Sequence, residues 1–184
     1  MQKRGKKAAI ELSISTIVVV VLAMSMLILG LILVKSIFEG TKYNVDTLNN
    51  KVKGEIDKLF VEDQTVVLYL ANGEAPIKQG TAYGVAFGIQ NSVQGTASEG
   101  AFTYEITADD TDLTERCGLT KEEAEAWIYP GRTGIFTLAP GGTYHGLARF
   151  TIPESSPLCT VRYNLAISMA DKPYDFAFFD VVVS

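Results

Sequence analysis

The chain has 184 residues, 47% of them hydrophobic and 20% charged, with a mean hydropathy of +0.18. That length holds one ordinary domain plus one further element, and the composition excludes disordered and collagen-like chains. A net charge of −5 and a pI near 4.9 argue against a nucleic-acid partner, and a single histidine, His145, excludes any site built on two.

The apolar excess lies at the N-terminus. Residues 1–11 form a basic leader with Lys3, Arg4, Lys6 and Lys7, and no charge follows from Leu12 to Val34. As a helix those 23 residues span roughly 35 Å, enough for a ~30 Å hydrocarbon core. Only a helix satisfies its own backbone groups in lipid, so a transmembrane α-helix is expected over 12–35. The positive-inside bias places the leader in the cytoplasm and the remainder outside. Beyond residue 40 the chain carries 11 basic and 19 acidic side chains, which predicts an acidic ectodomain of net charge −8. A cleaved secretory signal fits less well: the apolar run is too long, and Lys35, Phe38 and Glu39 stand where small residues would mark cleavage.

The segment Met1-Gln-Lys-Arg-Gly-Lys-Lys-Ala-Ala-Ile-Glu11, running straight into the apolar stretch, resembles the start of archaeal type IV pilin-like proteins. In that family a short basic leader ends in glycine, a membrane peptidase cuts after it, and the helix stays on the mature chain. The resemblance implies cleavage between Gly5 and Lys6, and a role for Glu11 in assembly or anchoring. Glu11 is the sixth residue after Gly5, whereas the family pattern has its glutamate fifth. A plain signal anchor with a basic flank is the alternative. Glu11 would then sit in the headgroup layer beside Lys6 and Lys7; in a filament it would neutralise a neighbour's amino terminus.

Residues 36–61 continue as an expected amphipathic stalk helix. Val45, Leu48, Val52, Ile56 and Leu59 recur at helical spacing, with Lys51, Lys53, Glu55, Asp57 and Lys58 on the other faces. Its stripe either packs on the body or self-associates. Gly40 and Gly54 weaken the helix by about 1 kcal/mol each.

Residues 62–184 read as a β-sandwich. Strand alternation marks Thr65–Leu70 and the runs around Val85–Ile89, Phe102–Ile106, Tyr144–Ile152 and Val161–Ile167, and the end, Phe176–Val183, carries apolar residues on both faces, as suits a central or closing strand. Asn72-Gly73, Asn91-Ser92, Pro140-Gly141-Gly142, Pro153–Pro157 and Asp171-Lys172-Pro173 punctuate them. The pattern Leu138-Ala-Pro-Gly-Gly-Thr-Tyr, then Ile152-Pro153, then Leu158-Cys-Thr-Val-Arg-Tyr is similar to immunoglobulin-like modules of prokaryotic surface proteins. The expected fold is therefore an N-terminal transmembrane helix extended into a stalk, then a mainly-β immunoglobulin-like sandwich with one short helical insertion. Thr120-Lys-Glu-Glu123 is a capping box that starts that insertion, and Trp127 anchors it in the core. Cys117 and Cys159 both lie in the exported part, where a cysteine pair predicts one disulfide.

Catalytic motifs are sparse. No nucleophile elbow, metalloprotease helix or phosphate loop occurs. Asp109, Asp110, Asp112 and Glu115 have oxygen-ligand spacing but lack the turn glycine of a calcium loop, and read as a solvated acidic loop. No cofactor or metal is expected, and the protein is read as a non-enzyme; an extracytoplasmic enzyme would need carboxylates alone, with Asp112 among them. The expected role is a non-catalytic pilin-like surface protein. It is either a filament subunit or a membrane-anchored adaptor for a cell-envelope partner, the latter similar in plan to archaellum stator components. Its partners would be membrane lipid and further copies through the N-terminal helix, or an envelope protein. The alternative is a membrane-anchored carbohydrate- or ligand-binding module, using aromatics among Tyr83, Tyr129, Tyr144, Tyr174 and Phe179.

Overall fold

A computed structural model describes residues 16–32, 45–60, 64–92 and 100–184. The chain divides into two compact units, residues 1–39 and 40–184. In the first, residues 16–32 form helix α1. Its seventeen residues rise about 25 Å. Its large side chains are apolar on every face and all exposed, from Val20 at 45% to Met26 at 74%. Ser25 satisfies its own hydroxyl by donating to the Val21 carbonyl at 2.8 Å. Among the described residues no helix is long and apolar enough to cross a membrane. The expected span 12–35 runs past α1 at both ends; residues 12–15 and 33–35, and the whole leader with Gly5, Lys6 and Glu11, lie outside the described residues.

The second unit is mainly β. Strands β1 (Val66–Tyr69), β3 (Ala82–Gln90) and β6 (Thr143–Thr151) form one sheet in the order β1-β3-β6. Strands β2 (Glu74–Ile77), β4 (Gly100–Ala108), β5 (Thr133–Leu138), β7 (Thr160–Met169) and β8 (Lys172–Val183) form the other, in the order β2-β8-β7-β4-β5. Among the described residues only the β2–β8 pair is parallel. Period-two alternation turns one row of each strand inward. The two sheets pack face to face through Phe87 against Tyr104, at 5.0 Å between rings, and Phe150 against Tyr163 and Phe179, at 5.0 and 5.7 Å. Asn72 and Gly73, both at positive φ, turn the chain from β1 to β2. The β7–β8 hairpin turns at Ala170 and Asp171, also at positive φ, one residue earlier than the Asp171-Lys172-Pro173 signal suggests; Pro173 lies inside β8.

The stalk expectation needs correction. Residues 45–49 are not helical, and Asn49 ends that stretch as an N-cap, its side chain accepting from Val52 N at 3.0 Å. Helix α2 is short, Asn50–Asp57, and packs on the outer face of the three-stranded sheet. Most of the stripe is buried intramolecularly: Ile56 and Val45 lie against Val67, Tyr69 and Ala86, with Leu48, Val52, Phe60 and Leu147 around them, while Leu59 is exposed. The seat is made by small residues of β3. A Cβ on Gly84 would meet the Val45 carbonyl oxygen at 1.7 Å, and one on Gly88 would meet Ile56 at 2.6 Å. Val45 N donates to Gly84 O at 3.1 Å; Asp57 contacts His145 at 2.7 Å and Asp46 contacts Arg149 at 3.4 Å. Residues 36–44 and 61 lie outside the described residues.

The helical insertion is two helices, not one: α3 (Leu113–Cys117) and α4 (Lys121–Glu125). The Thr120–Glu123 capping box opens α4 with both reciprocal hydrogen bonds in place. Trp127 is buried, and the Tyr163 hydroxyl donates to Ala124 O at 2.8 Å, fixing α4 to the core.

Candidate functional site

The residues that face solvent in rows on the five-stranded sheet follow from its register. Ile135 stands beside Thr103 and Thr103 beside Ser168; Thr133, Glu105, Ala166 and Phe176 make the next row; Thr107, Asn164 and Phe178 the third; Arg162 and Asp180 the fourth. β8 alternates, so Phe179, Val181 and Val183 are buried while Phe176 and Phe178 are 60% and 50% exposed. Their rings meet edge to face at 5.2 Å. They border a shallow groove floored by Ala166 and walled by Ser168, Pro173 and Tyr174. Asn164, beside Phe178, holds a buried side-chain oxygen with no hydrogen-bond partner. Asp175 at the groove's end is held in place: it accepts from Phe176 N at 2.8 Å and from the Thr65 hydroxyl. This face offers two aromatic edges, a small-residue floor and amide and hydroxyl groups. It can make apolar and hydrogen-bonding contacts.

A second depression, about 240 Å³, is polar and lies beside the disulfide. The Cys117 and Cys159 sulfurs are bonded, with Cα atoms 5.6 Å apart across 42 residues of sequence. The bridge ties α3 to the start of β7. Arg162 makes a two-pronged contact with Asp180 at 2.9 and 3.0 Å, and Asp180 holds the guanidinium charged more firmly than usual. Arg116 donates to Thr160 O at 3.3 Å. Asp109 accepts from Thr111 N at 3.0 Å, and that hydrogen bonding holds its carboxyl below the usual carboxylate range. The acidic segment is shaped by its own backbone: the Asp110 main-chain oxygen accepts from Leu113 N at 3.3 Å, and Asp112 is a backbone corner at φ 57°. Among the described residues no three histidine, cysteine, aspartate or glutamate side chains gather as ligands for a metal.

The aromatics proposed from sequence as a ligand platform are not brought together. Tyr83 and Phe179 are core residues. Tyr144 stacks on Phe136 at 3.9 Å, and the Tyr174 hydroxyl donates to Gln90 O at 3.0 Å and accepts from Ser92 N at 2.9 Å. Only Tyr129 is strongly exposed, at 82%. Sequence reasoning missed Phe176, Phe178 and Ile135. The alternation of β8 carried a signal for the first two, but an apolar run on both faces does not say which face is wet. The strand β5, with its Thr-Gly-Ile-Phe-Thr-Leu pattern, was not recognised at all.

No protein-family model and no curated protein matches this chain. Among solved structures it is similar to a family 123 glycoside hydrolase from Clostridium perfringens, at 9% identity over 60% of this chain and 22% of that one, with a TM-score of 0.39. It is also similar to the ASH/PapD-like domain 7 of human CEP192, at 11% identity over 68% and 92% of the two chains, TM-score 0.39. A third is the alkylpurine DNA glycosylase AlkC of Pseudomonas fluorescens, 13% identical over 64% and 30%, TM-score 0.32. The chain spans about a fifth of the length of the first of these.

Proposed function

We propose that this chain is a non-catalytic, pilin-like surface protein whose N-terminal helix is held in apolar surroundings and whose acidic β body stands outside the cell. The observation that carries the reading is α1. A helix apolar on every face has no aqueous resting place, and seventeen consecutive residues here expose every large side chain. The basic leader and the charge-free run from Leu12 to Val34 support a membrane or a filament core as that place. The body is read as an immunoglobulin-like sandwich, and the chain as either a filament subunit or an anchored adaptor for an envelope partner. Intact mass and N-terminal sequencing of the protein from its native membrane test this. A chain beginning at Lys6 supports pilin-type processing; one that keeps Met1, or loses only that residue, removes the argument.

The exposed Phe176–Phe178 pair favours a second reading, an anchored ligand-binding module. Under it, Phe176→Ala with Phe178→Ala abolishes retention of the full chain on a glycan panel. No retention of the unaltered chain on any member of the panel refutes it.

A further inference from the structure

Each edge of a sheet exposes unpaired backbone groups, and folded proteins shield them with charge, proline, brevity or a covering segment. Among the described residues, three of the four sheet edges in the body are shielded in these ways. The free side of β6 is covered by residues 127–131: Tyr129 N donates to Arg149 O at 2.8 Å, Arg149 N to Pro130 O at 2.9 Å and Thr151 N to Trp127 O at 2.8 Å. β2 is four residues long and contains Glu74 and Pro76. β1 is also only four residues.

The fourth edge, β5, shows none of these devices among the described residues. It is six residues long, without charge or proline, and among the described residues no strand pairs with its side away from β4. Gly134, Phe136 and Leu138 turn toward the core, where a Cβ on Gly134 would strike the Tyr104 ring at 2.3 Å. Thr133, Ile135 and Thr137 point outward, and Ile135, at the centre, is 84% exposed.

We propose that β5 pairs antiparallel with β5 of a second copy of this chain, joining two five-stranded sheets edge to edge. The pattern of the strand selects that occupant. Its outward row reads Thr-x-Ile-x-Thr and is symmetric in residue type about Ile135. A two-fold axis through Ile135 sets that residue beside its own copy and each Thr133 beside the partner's Thr137, on the same face. All three pairs are uncharged and of strand-favouring residues. Arg132, the charged residue next to the strand, falls at opposite ends of the pair, and its guanidinium is already engaged by Glu125 at 3.1 Å and Glu105 at 3.4 Å. The acidic bodies repel at long range, so added salt strengthens the pairing. The inference rests on the β body alone and is independent of the membrane reading.

The test uses the full chain in detergent micelles, which also keep α1 solvated. Cys117 and Cys159 are bonded, so Ile135→Cys adds a single reactive thiol. Treated with a short bismaleimide, Ile135→Cys is expected to link most of the protein at twice the chain mass. Ser155→Cys, exposed on the β6–β7 connection, is expected to give only background. Ile135→Lys places like charges opposite each other and is expected to weaken dimerisation, read by light scattering, about tenfold or more with an unchanged near-ultraviolet spectrum. A monomeric unaltered chain, linking of Ile135→Cys no better than of Ser155→Cys, or a dimer indifferent to Ile135→Lys overturns the proposal. The last outcome would assign self-association to α1 or another surface.

Discussion

The disulfide makes a quantitative prediction. Cys117 and Cys159 close a loop across 42 residues, fastening the helical insertion to the start of β7. In the chain-entropy account a bridge of that span removes about 13 cal/mol/K from the unfolded chain, or about 4 kcal/mol at 25 °C. A body the size of residues 40–184 unfolds with an entropy of about 0.3 kcal/mol/K, so loss of the bridge lowers Tm by about 13 °C at most. Native-state packing moderates this little. Cys117 is buried against the main core, and Leu113, Ala124 and Trp127 stay there without the bond. The assay is thermal unfolding of the full chain, followed by near-ultraviolet circular dichroism, for the unaltered protein and for Cys117→Ser with Cys159→Ser. Thiol titration under denaturing conditions is run alongside: the unreduced protein should release no reactive thiol, and the reduced protein two. A drop of less than about 3 °C would refute the reasoning, because the reduced unfolded chain would then hold the same loop closed by other means. Two reactive thiols in the unreduced chain would refute the bond itself.

The α2 segment and the buried phenols give two further expectations. Gly84→Ala drives a Cβ into the Val45 carbonyl, a backbone atom with nowhere to go, so residues 45–60 should lift from the sheet at a cost of about 1–3 kcal/mol. Hydrogen exchange should rise first at Val45 and across α2, and unchanged exchange there would show that the segment is not seated on β3. Burial pushes the Tyr163 phenol above its ordinary 10.0, with the nearby Glu125 charge adding to it, and the same burial raises Tyr104. Both are neutral in the folded protein when the unfolded chain ionises. The unfolded state therefore binds fewer protons, and stability, intact below pH 10, falls as pH rises past it by about 1.4 kcal/mol per pH unit for each phenol. Denaturant titrations between pH 9 and 11 should show a loss of about 1.4 kcal/mol per phenol across the window, with the slope steepening above pH 10, and Tyr163→Phe should remove one phenol's share; an unchanged loss in the variant would exclude Tyr163 as a source.

How much of this was legible depends on the range of the interactions concerned. The Thr120–Glu123 capping box and the Asn72-Gly73 turn depend on residues a few positions apart, and they stand in the structure where their chemistry puts them. Strand alternation likewise marked the inward rows of β3, β4, β6 and β7, because successive side chains on a strand point to opposite faces. The apolar character of α1 is a property of composition, fixed before any packing.

Tertiary packing decided the rest. The helical stripe from Val45 was visible, but its partner was not: Gly84, Ala86 and Gly88 form a seat only once β3 is in a sheet, and that seat turned an expected stalk into a short helix laid on the body. β2 was hidden because a proline in a four-residue run argues against a strand, which holds for central strands and not for an edge. Phe176, Phe178 and Phe179 are alike as residues, yet the sheet turns one inward and leaves two in water. Ile135 became an exposed edge residue only because β5 pairs on one side. Local chemistry determined where elements begin, where they turn and which segment is apolar throughout. Which faces met, and which edge stayed open, was settled by contacts between residues far apart in sequence.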